Sequence, residues 1–347
     1  MIMIVIRTGF NWFDDMAKIL SLFWFTVKTC RKKLYRIQST FVLRLAETSE
    51  VHLNLTLSAR QPFNFLSVVN SHGWVQLAPF RFDEGGEVLS YTDQLSNGRV
   101  VDYKISKVPK GVRVNVDGRC SKSEQNEIAE KITWMFGLDQ DFSSFYKIAR
   151  KEPKLRRSQR LARGRVLRSP TFFEDVLKTI LTTNTLWAAT RRMNLNLIAS
   201  FGNLLPDSDF KAFPTPDRIA ASSSEVLKDA VRVGYRAPAI HELASRVVSH
   251  ELDIESFKTS TLPTLELRKE LMKIRGVGPY AAANLLMILG RHDFIPIDSW
   301  ALKVVSHEWY RGKPITAKEV EKRFEKWGDI KGLAFWFWDW DLKYNGG

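Results

Sequence analysis

The sequence predicts an α+β fold in which an N-terminal antiparallel β-sheet domain with helices is followed by an all-helical domain. Three observations carry this expectation. Short apolar or alternating runs separated by turn residues fill the chain from about residue 36 to residue 116, which is the pattern of half-buried strands. Beyond Ser169-Pro170 the apolar residues recur at helical spacing to the end of the chain, with Gly or Pro at most junctions. A charge-dense stretch lies between the two patterns, so the expected layout is an extension at 1–35, a sheet domain at 36–140, a basic connecting segment at 141–168 and a helical domain at 169–347.

Composition bounds the class of protein. With 347 residues, 44% of them apolar and 12% aromatic, the chain can bury the cores of two domains. Lys and Arg number 52 against 38 Asp and Glu, a net charge of +14, and such an excess attracts a polyanion, in water most commonly nucleic acid. Cys30 and Cys120 are the two cysteines, too few for a disulfide framework, a cysteine-rich zinc site or a four-cysteine iron–sulfur cluster. Near the start, the apolar stretch Ile19–Val27 among scattered basic residues is similar to a targeting segment. Asp14 and Asp15 interrupt it, and the run is far shorter than the ~20 residues that cross a bilayer. The reading is an extension outside the core, with a transit peptide as the alternative and no membrane partner.

Strand candidates are residues 41–45, 51–57, 74–82, 100–105 and 112–116. Asp83-Glu84-Gly85-Gly86 and Ser96-Asn97-Gly98 fall where hairpin connections belong, which favours antiparallel pairing. Ser121 with Glu124 three residues on makes a capping box for a helix through Phe136, with Ile128, Ile132 and Met135 on one face. From Lys147 to Arg168 there are ten basic residues against the single acid Glu152. A solvated charged helix fits that run as well as a phosphate-facing one does, but its place before a new domain favours phosphate. The helices expected after it are Phe172–Phe201, Ser224–Val233, Pro238–Ser249, Leu265–Lys273, Pro279–Leu289, Ser299–Tyr310, Ala317–Lys326 and Gly332–Leu342.

Chemistry concentrates in Leu271-Met272-Lys273-Ile274-Arg275-Gly276-Val277-Gly278-Pro279-Tyr280-Ala281. One helix ends there, a Gly-Val-Gly turn follows, and Pro279 opens a helix rich in small residues. Glycine allows the backbone to turn tightly and approach another chain, and the new helix presents unpaired N–H groups suited to an anion. A dinucleotide loop has a similar spacing, but it needs a preceding strand where a helix is expected, and its third glycine is Ala281 here. Asp298 follows Gly276 by 22 residues, isolated behind the apolar run Ile295-Pro296-Ile297 and ahead of the helix beginning at Ser299. Taken alone, such an acid is a helix cap.

Hairpin, spacing and acid together resemble the helix-hairpin-helix glycosylases, the HhH-GPD superfamily that includes 8-oxoguanine glycosylase and 3-methyladenine DNA glycosylase II. The resemblance spans about residues 36–342. It implies that Gly276, Val277, Gly278 and Tyr280 meet DNA phosphate, and that the carbonyls of Met272, Ile274 and Val277 hold a monovalent cation there. Asp298 would be the catalytic carboxylate. Residues 171–184 are similar to the first long helix of the family's catalytic domain, which places Asn184 in the gap left by a flipped base. Residues 233–240 are similar to a loop that wedges the duplex and reads the estranged base, which points to Tyr235 and Arg236. Each of these three has a plainer reading, as a turn residue, a core residue and a phosphate contact respectively.

The departures are informative. Family members that also cut the strand carry a lysine just after the hairpin, and Tyr280 stands there. A phenol forms no Schiff base, so a monofunctional N-glycosylase is expected, one that leaves an abasic site. The base pocket is assigned to Asn284, Phe335, Trp336 and Asp339, and an aromatic wall suits cationic N-alkylated purines, although the same aromatics suit plain packing of the terminal helix. The expected partner is double-stranded DNA carrying a damaged base, acted on by a monomer without a required cofactor or an iron–sulfur cluster, in the nucleus or alternatively in an organelle or a bacterial cytoplasm. Competing readings are an 8-oxoguanine or mismatch glycosylase and a non-catalytic DNA-binding protein.

Overall fold

The computed structural model describes residues 52–340. The strand expected at 41–45, the extension at 1–35 and the last residues of the helix expected through Leu342 lie outside that range.

Five antiparallel strands form the sheet: β1 (Leu53–Ser58), β2 (Phe80–Asp83), β3 (Val88–Gln94), β4 (Val100–Val108) and β5 (Gly111–Val116), in the order β1-β5-β4-β3-β2. Alternation sets the faces. Val101, Tyr103 and Ile105 of β4 and Val112, Val114 and Val116 of β5 turn inward, whereas Asn54, Thr56 and Ser58 of β1 face solvent. Strand β3, which binary patterning did not single out, sits between the two hairpin turns and supplies buried Leu89 and Tyr91. The expected strand at 74–82 is divided instead. Gly73–Gln76 makes a 3-10 turn, Pro79 follows with no N–H to donate to a ladder, and only Phe80–Asp83 pairs. A one-turn helix, α1 (Phe65–Val69), precedes it, capped by Asn64.

Helix α2 (Lys122–Phe136) carries the expected capping box and ends at Gly137 in the left-handed conformation. The basic stretch that follows corrects the sequence reading. It contains α3 (Ser143–Ala149) and α4 (Arg156–Arg160), and two of its arginines point inward rather than to phosphate. Arg165 is buried and donates to the carbonyls of Arg60, Pro62, Gly137 and Gln140. Arg168 is buried on the Trp134 ring, 4.2 Å from its centroid, and burial pushes its guanidinium down to about 10. Both act as internal staples, since a guanidinium carries five donors and backbone carbonyls accept them.

The single long helix expected over 172–201 breaks into α5 (Phe172–Thr182) and α6 (Trp187–Phe201), because Asn184 takes a left-handed φ of 46°, a conformation Asn tolerates better than most residues. Next come α7 (Pro216–Ala220), α8 (Ser224–Val231), α9 (Ala237–Val248), α10 (Thr264–Met272), α11 (Pro279–Ile288), α12 (Ser299–Tyr310), α13 (Ala317–Phe324) and α14 (Lys331–Trp336). The last of these stops earlier than the expected Leu342, at a left-over turn that leads into Trp338.

One apolar cluster runs from the sheet through α2 and α5 to α11, and a second, rich in Phe and Trp, joins α3 to α12, α13 and α14. Between sheet and helices the contacts are polar as well. Tyr91 donates to Glu174, Trp74 donates through its indole to Asp175 at 2.7 Å, and the Asn194 amide donates to the Ala78 carbonyl at 2.7 Å. Buried polar groups without partners are costly, so these bonds fix how the sheet and the chain leading into β2 lie on α5 and α6.

Candidate active site

The hairpin forms as its residues dictate. Helix α10 ends at Met272, and the Val277 N–H donates to the Ile274 carbonyl at 3.0 Å to close the turn. Gly276 sits at φ 89°, and a Cβ there would meet Ala239 at 3.3 Å. Gly278 caps α11, Pro279 fills its first position, and Ala281, Ala282 and Ala283 are buried. The first N–H groups of α11 have no partner within the helix, and Gly278, Tyr280 and Ala281 border an open groove beside the turn.

Asp298 is the N-cap of α12, its Oδ1 accepting the Ala301 N–H at 2.8 Å. The plain capping role is thus real, and it fixes the carboxylate at one place. Two hollows meet there. An open groove of about 880 Å³ is walled by the hairpin, including Met272, Ile274, Val277 and Gly278, and by Asn184, Tyr235 and Arg236 opposite. An inner cavity of about 270 Å³ is walled by His72, Trp74, Trp187, Asn284 and Trp336, with threonines from α5. Among the described residues, only Tyr280 and Asp298 line both. Burial, and secondarily the Asp298 charge, pushes the Tyr280 phenol above its ordinary value.

On the outer lip, Tyr235 is 67% exposed and Leu186 is 81% exposed. The Asn184 amide donates to the Tyr235 hydroxyl at 3.3 Å. Arg236 differs from its neighbour: it is buried, stacks on Tyr235 with its guanidinium 4.6 Å from the ring centroid, and donates to the Thr183 and Val233 carbonyls. Its two Nη groups thus hold the lip together, whereas its buried Nε has no partner.

The expected pocket residues divide. Asn284 and Trp336 line the cavity, and Trp336 donates through its indole to the Ser71 carbonyl at 3.0 Å. Phe335 is buried behind them and borders an adjoining hollow of about 320 Å³ with Trp300 and Asp298. Asp339 lines neither hollow; it is half-exposed near Arg157, 3.6 Å away. Reasoning from sequence missed His72, Trp74 and Trp187, which the loop before β2 and the start of α6 bring in. Gly73 makes that approach possible, since a Cβ there would lie 2.5 Å from the Trp187 ring. The compact His72-Gly73-Trp74 triplet carried the available signal: three residues with little reason to adjoin in an ordinary strand.

The family model described as HhH-GPD superfamily base excision DNA repair protein matches residues 177–329, the stretch that holds the hairpin and Asp298. A DNA-3-methyladenine glycosylase of Bacillus subtilis (strain 168) is 29% identical over 167 residues, covering 47% of this chain and 54% of the relative. The N-glycosylase/DNA lyase of Saccharomyces cerevisiae is 24% identical over 198 residues, covering 47% and 52%. The chain thus spans about half the length of these curated relatives. The solved 3-methyladenine DNA-glycosylase of Archaeoglobus fulgidus superposes with a TM-score of 0.63 at 21% identity, over 82% of this chain and 96% of that one, a likeness of fold that takes in the sheet as well as the helices.

Proposed function

We propose that the protein is a monofunctional DNA glycosylase that turns a damaged base, an N-alkylated purine in the leading reading, out of duplex DNA and hydrolyses its glycosidic bond. The observation that carries this reading is the position of Asp298, shared by the groove and the cavity. A backbone phosphate held at the hairpin, with Asn184 and Tyr235 entering the duplex, puts the sugar of the extruded nucleotide beside Asp298 and its base in the cavity. As the bond between C1′ and the base nitrogen lengthens, the sugar becomes cationic, and the carboxylate stabilises that charge and orients water for attack on C1′. The bonding electrons leave with the base.

Tyr280 occupies the place where an amine would be needed for strand cleavage, and among the described residues no lysine lines the groove or the cavity. The resemblance to relatives named for both activities leaves the two chemistries to be separated by this residue. The cavity also favours a leaving group that needs no protonation. Burial pushes the His72 imidazole down to about 4 and raises Tyr280, so neither is a ready acid at neutral pH. A purine alkylated at a ring nitrogen already carries positive charge and departs as a neutral base, and Trp74, Trp187 and Trp336 line the cavity with aromatic rings, a side-chain type whose π-system attracts cations. The carbonyls of Met272, Ile274 and Val277, which all border the groove, are proposed to accept a monovalent cation between hairpin and phosphate.

The test is a panel of duplexes carrying one lesion each: alkylated purines, 8-oxoguanine, uracil and a thymine mismatch. Release of an alkylated purine, with strand breaks only after alkali, supports the reading. Release of another base changes the substrate, and breaks without alkali remove the monofunctional assignment.

A further inference from the structure

Most of the polar groups of the cavity wall present acceptors, the Tyr280 phenol being the exception. His72 Nε2 lies 2.5 Å from the Leu167 carbonyl oxygen; a carbonyl only accepts, so Nε2 carries the proton and Nδ1 keeps its lone pair. His72 is half-buried, and among the described residues no partner to Nδ1 is found, nor is that atom one of the buried, unpaired nitrogens. The ring stands between Trp74 and Trp336, with centroids at 4.7 and 6.0 Å, which fixes its plane. The threonines repeat the pattern. Thr179, Thr182 and Thr190 donate their hydroxyl protons to the carbonyls of Asp175, Thr179 and Leu181 at 2.7, 2.7 and 3.2 Å, and so offer only oxygen lone pairs. Asn284 donates one of its two amide N–H groups to the Tyr280 carbonyl at 3.1 Å and keeps its own carbonyl oxygen as an acceptor.

We propose that His72 Nδ1 is a specificity-determining acceptor, by which this acceptor-rich cavity selects bases presenting an N–H donor at their edge. The assignment rests on reading the cavity as the seat of the extruded base. A base that turns a lone pair toward His72 Nδ1 loses its water there without replacement, the situation in which a hydrogen-bonding site discriminates most sharply. The low basicity of the buried imidazole keeps Nδ1 unprotonated at neutral pH, so the sense of the wall does not reverse and a cationic base is not repelled.

Equilibrium binding of two free bases to the full chain tests this without requiring turnover. 3-Methyladenine carries its only N–H donors on the exocyclic amine; 3-methylpurine lacks that amine and has none. The wild-type protein is expected to bind 3-methyladenine at least tenfold more tightly. His72→Phe, which keeps a flat ring, brings that ratio near one, whereas His72→Gln, which can donate to Leu167 and still present an acceptor, keeps most of it. Equal binding of both bases by the wild-type chain, binding of neither, or a ratio unchanged in His72→Phe overturns the proposal. Base release from methylated duplex, measured in parallel, reads the glycosylase assignment separately: release without a His72-dependent ratio removes only the proposal about His72, and a His72-dependent ratio without release removes only the glycosylase.

Discussion

The Asn184 amide and the Tyr235 hydroxyl are joined by a 3.3 Å hydrogen bond across 51 residues of sequence, which makes one lip of two loops. Asn184 reaches it because the chain turns left-handed between α5 and α6, and Tyr235 stays exposed above Arg236. An exposed aromatic ring at such a place is suited to wedging between stacked bases.

Tyr235→Ala is therefore expected to slow base release from duplex DNA by on the order of tenfold while leaving release from a single strand nearly unchanged, because only the duplex must be unstacked. Single-turnover rates on matched duplex and single-stranded substrates measure this. An equal loss on both would place Tyr235 in a structural role.

The two hairpin glycines separate folding from binding. Gly276→Ala forces an alanine into positive φ against Ala239 and is expected to cost about 1–3 kcal/mol of stability. Nothing lies within 4 Å of a Cβ on Gly278, so Gly278→Ala should melt within roughly 0.5 kcal/mol of wild type yet bind DNA more weakly, since the methyl occupies the phosphate's approach. Thermal melting with a duplex-binding titration checks both. Unchanged DNA affinity for Gly278→Ala contradicts the phosphate clamp.

Much of this was legible beforehand. The hairpin, Asp298 and helix α12 follow from glycine, proline and capping patterns that act over a few residues, and Asn184 and Tyr235 were found by resemblance. Of the inner wall, Asn284 and Trp336 were legible, but His72, Trp74 and Trp187 were not, because they meet only when the loop from the sheet packs on α5 and α6. The charge run at Lys147–Arg168 misled for a related reason: a list of charges does not show that Arg165 finds four carbonyls inside.

Asp175, which fixes Trp74 in that wall, predicts a pH dependence. Burial pushes its carboxyl up to about 7, whereas the unfolded chain ionises it near 4. The folded state thus holds the proton longer, and stability falls as pH rises from about 4 to about 7. Asp175→Asn removes that slope, so its stability relative to wild type should increase across this interval and level off above it. Urea midpoints at several pH values read the difference; parallel curves would contradict the assignment.

Tyr280→Phe should keep base release within about tenfold of wild type, since the phenol has no covalent role. Borohydride should trap no enzyme–DNA adduct with either protein, and a trapped adduct would show an amine nucleophile.

The most direct measurement is Asp298→Asn on a duplex carrying an alkylated purine, with single-turnover base release and duplex affinity followed together. The amide still accepts the Ala301 N–H, so the fold should hold. Release is expected to fall on the order of 10²–10⁴-fold, while affinity is maintained or increased. Release at the wild-type rate would contradict the account.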